Sequence, residues 1–170
     1  MSITETIPDI RVRRRLDKEI SSMVRQSATN KRSLNIKGDI TYSEFLQNKM
    51  LIIHIIRQGV PYTFFNLIRH YSPFSENEWA GFLDISLKSL HRYKLSSRRF
   101  KPLQSEKIIE MSEVLHVGLD FFGDMDTFKR WLDTPNFALG SLKPQELLKD
   151  SYGKELIVAE LTRISYGIFV

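Results

Sequence analysis

Cysteine is absent from the 170-residue sequence, which removes disulfide scaffolds, thiolate metal sites and cysteine nucleophiles from consideration. Long hydrophobic runs are missing too. The longest, Met50 to Ile53, extends through His54 only to Ile56, far short of the roughly 20 residues a membrane span requires. The start, Met1-Ser2-Ile3-Thr4-Glu5, has no charged n-region followed by an apolar stretch, so export is not expected and a cytoplasmic protein without a membrane partner is. The sequence also lacks a P-loop, Gly-x-Gly-x-x-Gly, Gly-x-Ser-x-Gly, His-Glu-x-x-His and any carboxylate pair fixed by a motif. Those are the patterns that cradle phosphates, expose a nucleophile or hold zinc, so neither catalysis nor a cofactor is expected. His54, His70, His91 and His116 show no metal-ligand spacing, and His54, set among isoleucines, reads as a core histidine with one hydrogen-bond partner.

What is present is an ordinary globular balance, 42% apolar and 26% charged. The length suits one domain, or two small ones sharing a core, and can bury roughly two thirds of the unfolded surface. Net charge is +5, which bears on partners and solubility more than on fold. Residues 1–60 hold 11 basic and 6 acidic side chains, residues 61–123 hold 8 and 7, and residues 124–170 hold 6 and 7. The excess is therefore N-terminal. The middle segment nevertheless contains six cations from Lys88 to Lys101 with no acid between Ser86 and Gln104.

Three segments are expected. Residues 1–41 form a basic arm and linker, in which Arg11, Arg13, Arg14 and Arg15 precede Leu16, Ile20, Met23 and Val24 at helical spacing. This amphipathic helix is either solvated, a nucleic-acid-binding arm, or a helix that docks on a partner. Residues 42–123 form a second segment. Its helices are expected at 43–58, 62–70, 76–83, 87–94 and 104–121; Ser75-Glu76-Asn77-Glu78 is a capping box and Ser86 a second cap. Two short helices joined by about three residues make a helix-turn-helix. Its second helix turns Leu87, Leu90 and Tyr93 inward and Lys88, Ser89, His91 and Arg92 outward, where a major groove would lie. Arg92 is expected to read a base, worth about 1–3 kcal/mol of discrimination if bidentate to guanine. Lys94, Arg98, Arg99 and Lys101 follow it as flanking cations, with Arg98 and Arg99 expected on phosphates. The competing reading is a solvated basic face on a structural hairpin.

Residues 124–170 complete the chain, with helices expected at 126–133, 144–149 and 153–166 and an all-α fold throughout. Trp131 and Leu139 read as core. Ile157, Leu161 and Ile164 form one stripe ahead of Gly167, and the chain finishes Ile168-Phe169-Val170. That apolar tip either folds back on its own segment or enters a partner.

Trp131-Leu132, Thr134-Pro135-Asn136, Ala138-Leu139-Gly140, Pro144, Glu146-Leu147-Leu148, Gly153, Leu161, Arg163-Ile164 and Tyr166-Gly167 together resemble the toxin-binding domain of the Xre/MbcA/ParS antitoxins. Ala80, Leu83, Ile85-Ser86, Ser89-Leu90 and Arg92 look like that family's Xre-like helix-turn-helix, so the resemblance covers roughly residues 59–170. Asp84 stands where the family usually has glycine, and Lys143 where it has threonine. The resemblance implies a non-catalytic antitoxin that neutralises a RES-domain toxin, an NAD-consuming enzyme resembling ADP-ribosyltransferases, by blocking its active site. It also implies repression of the antitoxin's own operon through operator DNA, and a homodimer within a toxin-antitoxin hetero-oligomer. Asn136, Lys154, Arg163, Tyr166, Ile168, Phe169 and Val170 are the expected toxin contacts. The alternative is a dimeric helix-turn-helix regulator with no toxin.

Overall fold

The computed structural model describes residues 10–27 and 38–167. Among them are ten α-helices: α1 (Ile10–Ser27), α2 (Tyr42–Gln47), α3 (Lys49–Gln58), α4 (Tyr62–His70), α5 (Glu76–Phe82), α6 (Leu87–Ser96), α7 (Pro102–Phe122), α8 (Met125–Leu132), α9 (Pro144–Leu147) and α10 (Ser151–Ser165), with a 3-10 turn at Phe137–Leu139. Extended structure among the described residues is limited to two isolated bridges, Pro61 with Arg99 and Asn136 with Leu142. The all-α expectation holds. No described helix is long and apolar enough to cross a membrane.

The expected amphipathic helix forms as α1, and its stripe is not solvated. Leu16, Ile20, Met23 and Val24 are buried in the same hydrophobic cluster as residues of α3, α4, α7 and α10. One cluster thus runs through all three sequence segments. Polar contacts fix the helix in place: the Asp17 carboxylate accepts the Tyr42 N–H at 2.7 Å, and the Ser21 hydroxyl donates to the Ile40 carbonyl.

Between residues 43 and 58 the single expected helix is two. Thr41 and Glu44 close a capping box at the start of α2. Asn48 then leaves helical geometry, and its side chain accepts the Leu51 N–H at 3.0 Å, opening α3. An asparagine that offers the backbone this local partner favours a cap over a helix interior. His54, half-buried on α3, meets the Ser27 carbonyl at 2.9 Å through Nε2, so the histidine expected in the core serves to tie α1 to α3.

The helix-turn-helix is α5 and α6. Ser75 and Glu78 form the capping box read from the sequence, and Ser86 caps α6. Asp84 takes φ +50° in the turn, a left-handed conformation that aspartate tolerates better than most residues, and Ile85 N–H closes it on the Ala80 carbonyl at 3.1 Å. Trp79, Phe82 and Leu90 face the core. Helix α7 starts two residues earlier than expected because Pro102 occupies a first-turn position, where its missing N–H costs nothing. It ends at Gly123, φ +77°.

Helix α7 is also the floor of the C-terminal module. At Gly118 a Cβ would lie 2.3 Å from the Phe128 ring, so α8 can lie close only over a glycine. Gly153 plays the same part between α9 and α10, where a Cβ would sit 1.9 Å from the Leu147 carbonyl oxygen. Lys154 of α10 reaches the Glu113 carboxylate of α7 at 2.6 Å, and Lys49 of α3 shares that carboxylate.

Candidate nucleic-acid and partner interfaces

The outward face of α6 carries the residues expected to read DNA, and the structure sorts them. Lys88, His91, Arg92 and Lys94 are exposed and Ser89 is half-buried. The Ser86 hydroxyl that accepts the Ser89 N–H also donates to Ser89 Oγ at 3.0 Å, and Arg92 donates to the same Oγ at 3.2 Å. Arg92 is thereby held against its own helix one turn from the cap, with its remaining donors outward. His91 is tied back: its Nε2 lies 3.1 Å from Glu76, whose other oxygen pairs with Arg69 at 2.8 Å. The bond from His91 is the main reason the Glu76 carboxyl sits below its usual range.

Beyond α6, Arg98 and Lys101 are exposed, and Arg98 has no partner among the described residues. Arg99 differs. Its guanidinium donates to the Gly59 carbonyl at 2.8 Å and to Gln26 Oε1 at 3.1 Å, joining α1, α3 and the α6–α7 loop, so the cation expected on a phosphate is half-buried and braces the fold. Behind the loop, Tyr93 stacks on Phe100 at 4.2 Å. A groove of about 750 Å³ lined by Ser89, Arg92, Tyr93, Arg98 and Gln104 runs beside α6. With Lys88, Arg92, Lys94, Arg98 and Lys101 all exposed, α6 and the loop after it can engage a polyanion.

In the C-terminal module three of the expected toxin contacts are already engaged inside the fold. Asn136 caps the 3-10 turn by accepting the Ala138 N–H at 2.9 Å, and its amide donates to Glu160 at 3.3 Å. Arg163 grips the same Glu160 with both arms, at 2.8 and 2.7 Å, and that bond holds the Glu160 carboxyl below its usual range. Lys154 is the Glu113 partner described above. These polar groups build the module's shape. Tyr166, by contrast, is 78% exposed at the end of α10. Ile168, Phe169 and Val170 lie outside the described residues.

Four exposed apolar side chains were not foreseen. Phe137 is 92% exposed and Tyr152 82%, with Leu142 and Leu156 also exposed. Tyr152 and Leu156 are one turn apart on α10, and the next turn carries Glu160, which anchors the Asn136–Leu142 loop. Leu139, expected in the core, is buried, and Trp131 is half-buried against Phe122 and Phe128. The signal for the exposed set was available: Tyr152 and Leu156 lie off the Gly153, Ile157, Leu161 stripe that α10 buries.

The two modules meet at Glu78. Its Oε2 accepts the Ser75 N–H at 2.7 Å, completing the α5 cap, while Oε1 accepts Gln145 of α9 at 2.6 Å and Lys129 of α8 at 3.2 Å. Burial pushes this carboxyl up, and the hydrogen bonds from Ser75, Gln145 and Lys129 outweigh it, holding the group down at about 2. Among the described residues no group of three or more His, Asp or Glu side chains is placed to hold a metal ion.

Comparison with known proteins gives both surfaces a context. Residues 52–118 match the antitoxin Xre-like helix-turn-helix domain, and residues 118–167 match the antitoxin Xre/MbcA/ParS C-terminal toxin-binding domain. An antitoxin Xre from Yersinia enterocolitica serotype O:8 / biotype 1B is 26% identical over 120 residues, spanning 70% of this chain and 81% of that protein. In fold, the chain resembles one in the crystal structure of the M. tuberculosis MbcT-MbcA toxin-antitoxin complex, with a TM-score of 0.53 at 21% identity over 62% of this chain and 94% of that one. The helix-turn-helix of α5 and α6 and the module of α8 to α10 that Glu78 joins to it are the two domains of one family, and the chain belongs to the Xre/MbcA/ParS antitoxins of toxin-antitoxin systems.

Proposed function

We propose that this antitoxin neutralises a RES-domain, NAD-consuming toxin through its C-terminal module, and that it represses its own operon by binding operator DNA through α6 and the loop after it. The chain itself catalyses nothing; it holds another enzyme's active site closed.

The observation that carries the reading is the exposure of Phe137, Leu142, Tyr152, Leu156 and Tyr166 on the toxin-binding domain. Large aromatic side chains at the centre of an interface are where binding energy concentrates, and water gains when they are covered. Asn136, Glu160 and Arg163 fix the backbone that presents them. The apolar tip Ile168-Phe169-Val170 is the segment assigned here to the toxin's NAD cleft. On the DNA side, Arg92 reads a base edge, Ser89, Lys88 and Lys94 flank it, and Arg98 and Lys101 hold phosphates. A homodimer would set two α6 helices about 34 Å apart, matching a palindromic operator.

The test is coexpression with the product of the adjacent reading frame, copurification, and NAD turnover by that product alone, with the full chain, and with the chain truncated after Tyr166. Turnover suppressed by the full chain supports the reading, and turnover restored by the truncation assigns the plug to the tip. Normal growth and no NAD loss when the neighbouring frame is expressed alone would instead favour a regulator without a toxin.

A further inference from the structure

We propose that the outer face of α1 is a second contact for the phosphate backbone of operator DNA, an inference that rests on the DNA-binding reading above and lies outside both matched domains, which begin at residue 52. Arg14, Arg15 and Lys18 are exposed, and with Arg11 they share one helical face, opposite the buried Leu16, Ile20, Met23 and Val24. The helix contains two acids, and both turn toward the fold. Asp17 accepts the Tyr42 N–H and Glu19 accepts the Thr63 hydroxyl. Arg25 pairs with Asp39 at the far end. Arg14, Arg15 and Lys18 therefore stand without a counter-charge or hydrogen-bond partner among the described residues. Packing the apolar stripe requires none of this, whereas an external polyanion supplies what is missing.

Three observations favour DNA over other anionic partners. A basic amphipathic helix binds a membrane by inserting its apolar face, and here that face is already buried in the core. The cations form a line: from Arg11 to Lys18 the helix rises about 10.5 Å, the axial length of about three phosphates on one strand. The line is also joined to the recognition helix by way of α4. Glu19 meets Thr63 in the first turn of α4, and Gln26 meets Arg99, which holds the Gly59 carbonyl just before α4 begins. Helix α1 thus runs antiparallel to α4, and its basic half lies toward the C-terminal end of α4. From that end Arg69 grips Glu76, which in turn holds His91 of α6.

The experiment compares the full-length wild-type chain, an Arg14→Gln/Arg15→Gln/Lys18→Gln variant and Arg92→Ala on a duplex carrying the chain's own promoter, across salt from roughly 50 to 200 mM. Because the three α1 side chains make no bonds to other described residues, the triple variant should melt like the wild type. Its plot of log affinity against log salt should be shallower by about 0.9 for each phosphate that is no longer neutralised, so by roughly 2 to 3, and trimming the base pairs that flank the operator should abolish the difference. A salt slope equal to that of the wild type overturns the proposal while leaving the α6 reading intact. Absence of salt-dependent binding by the wild type overturns both. Unchanged DNA binding with weakened toxin capture by the triple variant overturns it in favour of a protein partner.

Discussion

Replacing Glu78 by glutamine should loosen the joint between the helix-turn-helix and the toxin-binding module. The carboxylate takes three donors at once, from Ser75, Gln145 and Lys129, and its pKa falls from the usual 4.5 to about 2. At about 1.36 kcal/mol per unit the unscreened value would be near 3.4 kcal/mol. The side chain is 31% exposed, and solvent screening reduces such figures, so a loss of roughly 1–2 kcal/mol at pH 7 is the working number. For a chain of this size each kcal/mol moves the melting temperature by about 2–4 °C, so Glu78→Gln should melt roughly 3–6 °C lower. The sign in pH follows from the depressed folded pKa. The contribution is complete above the unfolded value near 4.5 and disappears as pH falls toward 2, so the gap between wild type and variant should narrow from pH 6 to pH 3. Melting followed by circular dichroism at both pH values is the assay. A gap under about 1 °C at pH 7, or one that is the same at pH 3, would refute the argument.

Three further outcomes follow from local geometry. Gly153→Ala places a Cβ 1.9 Å from a backbone oxygen, so it should cost about 1–3 kcal/mol and weaken toxin capture, read by melting and pull-down. Lys143 leaves α9 with half a capping box, since the Glu146 carboxylate accepts its N–H at 3.3 Å but an ammonium cannot accept in return. Lys143→Thr should therefore raise the denaturant midpoint by the equivalent of about 0.5–1 kcal/mol. Arg99→Ala removes bonds to Gly59 and Gln26 and should lower stability by about 1–2 kcal/mol, whereas Arg98→Ala should leave melting unchanged and weaken only DNA binding in gel shifts.

The helices were legible because their caps and stripes are local. Ser75 with Glu78, Ser86, and the α10 stripe each act over a few residues, and each element formed close to its expected bounds. The break at Asn48 was missed although Thr41 and Glu44 spell a capping box ahead of it, because a dense apolar period outweighed a single capping side chain. The partner surface was harder to read. Asn136 and Arg163 belong to the motif quoted for the resemblance and Lys154 does not, yet all three side chains also make bonds inside the fold that the motif does not spell out. Glu160 and Arg163 are an i, i+3 pair that a helix brings together. The partner of Lys154 is 41 residues away, and Arg99 reaches Gln26 across 73; no local pattern encodes either. Phe137 and Tyr152 went unnoticed for the converse reason, since an aromatic residue met in a sequence reads first as core.

The central claim is that the exposed apolar face of the C-terminal module is covered by the toxin. Titration calorimetry of the purified toxin with the wild-type chain and with a Tyr152→Asp/Leu156→Asp variant tests it most directly. Both side chains lie outside the buried stripe, so the variant should keep its melting temperature while losing about 2 kcal/mol or more of binding free energy, roughly thirtyfold in affinity. Equal affinity of the two proteins for the toxin would contradict the account.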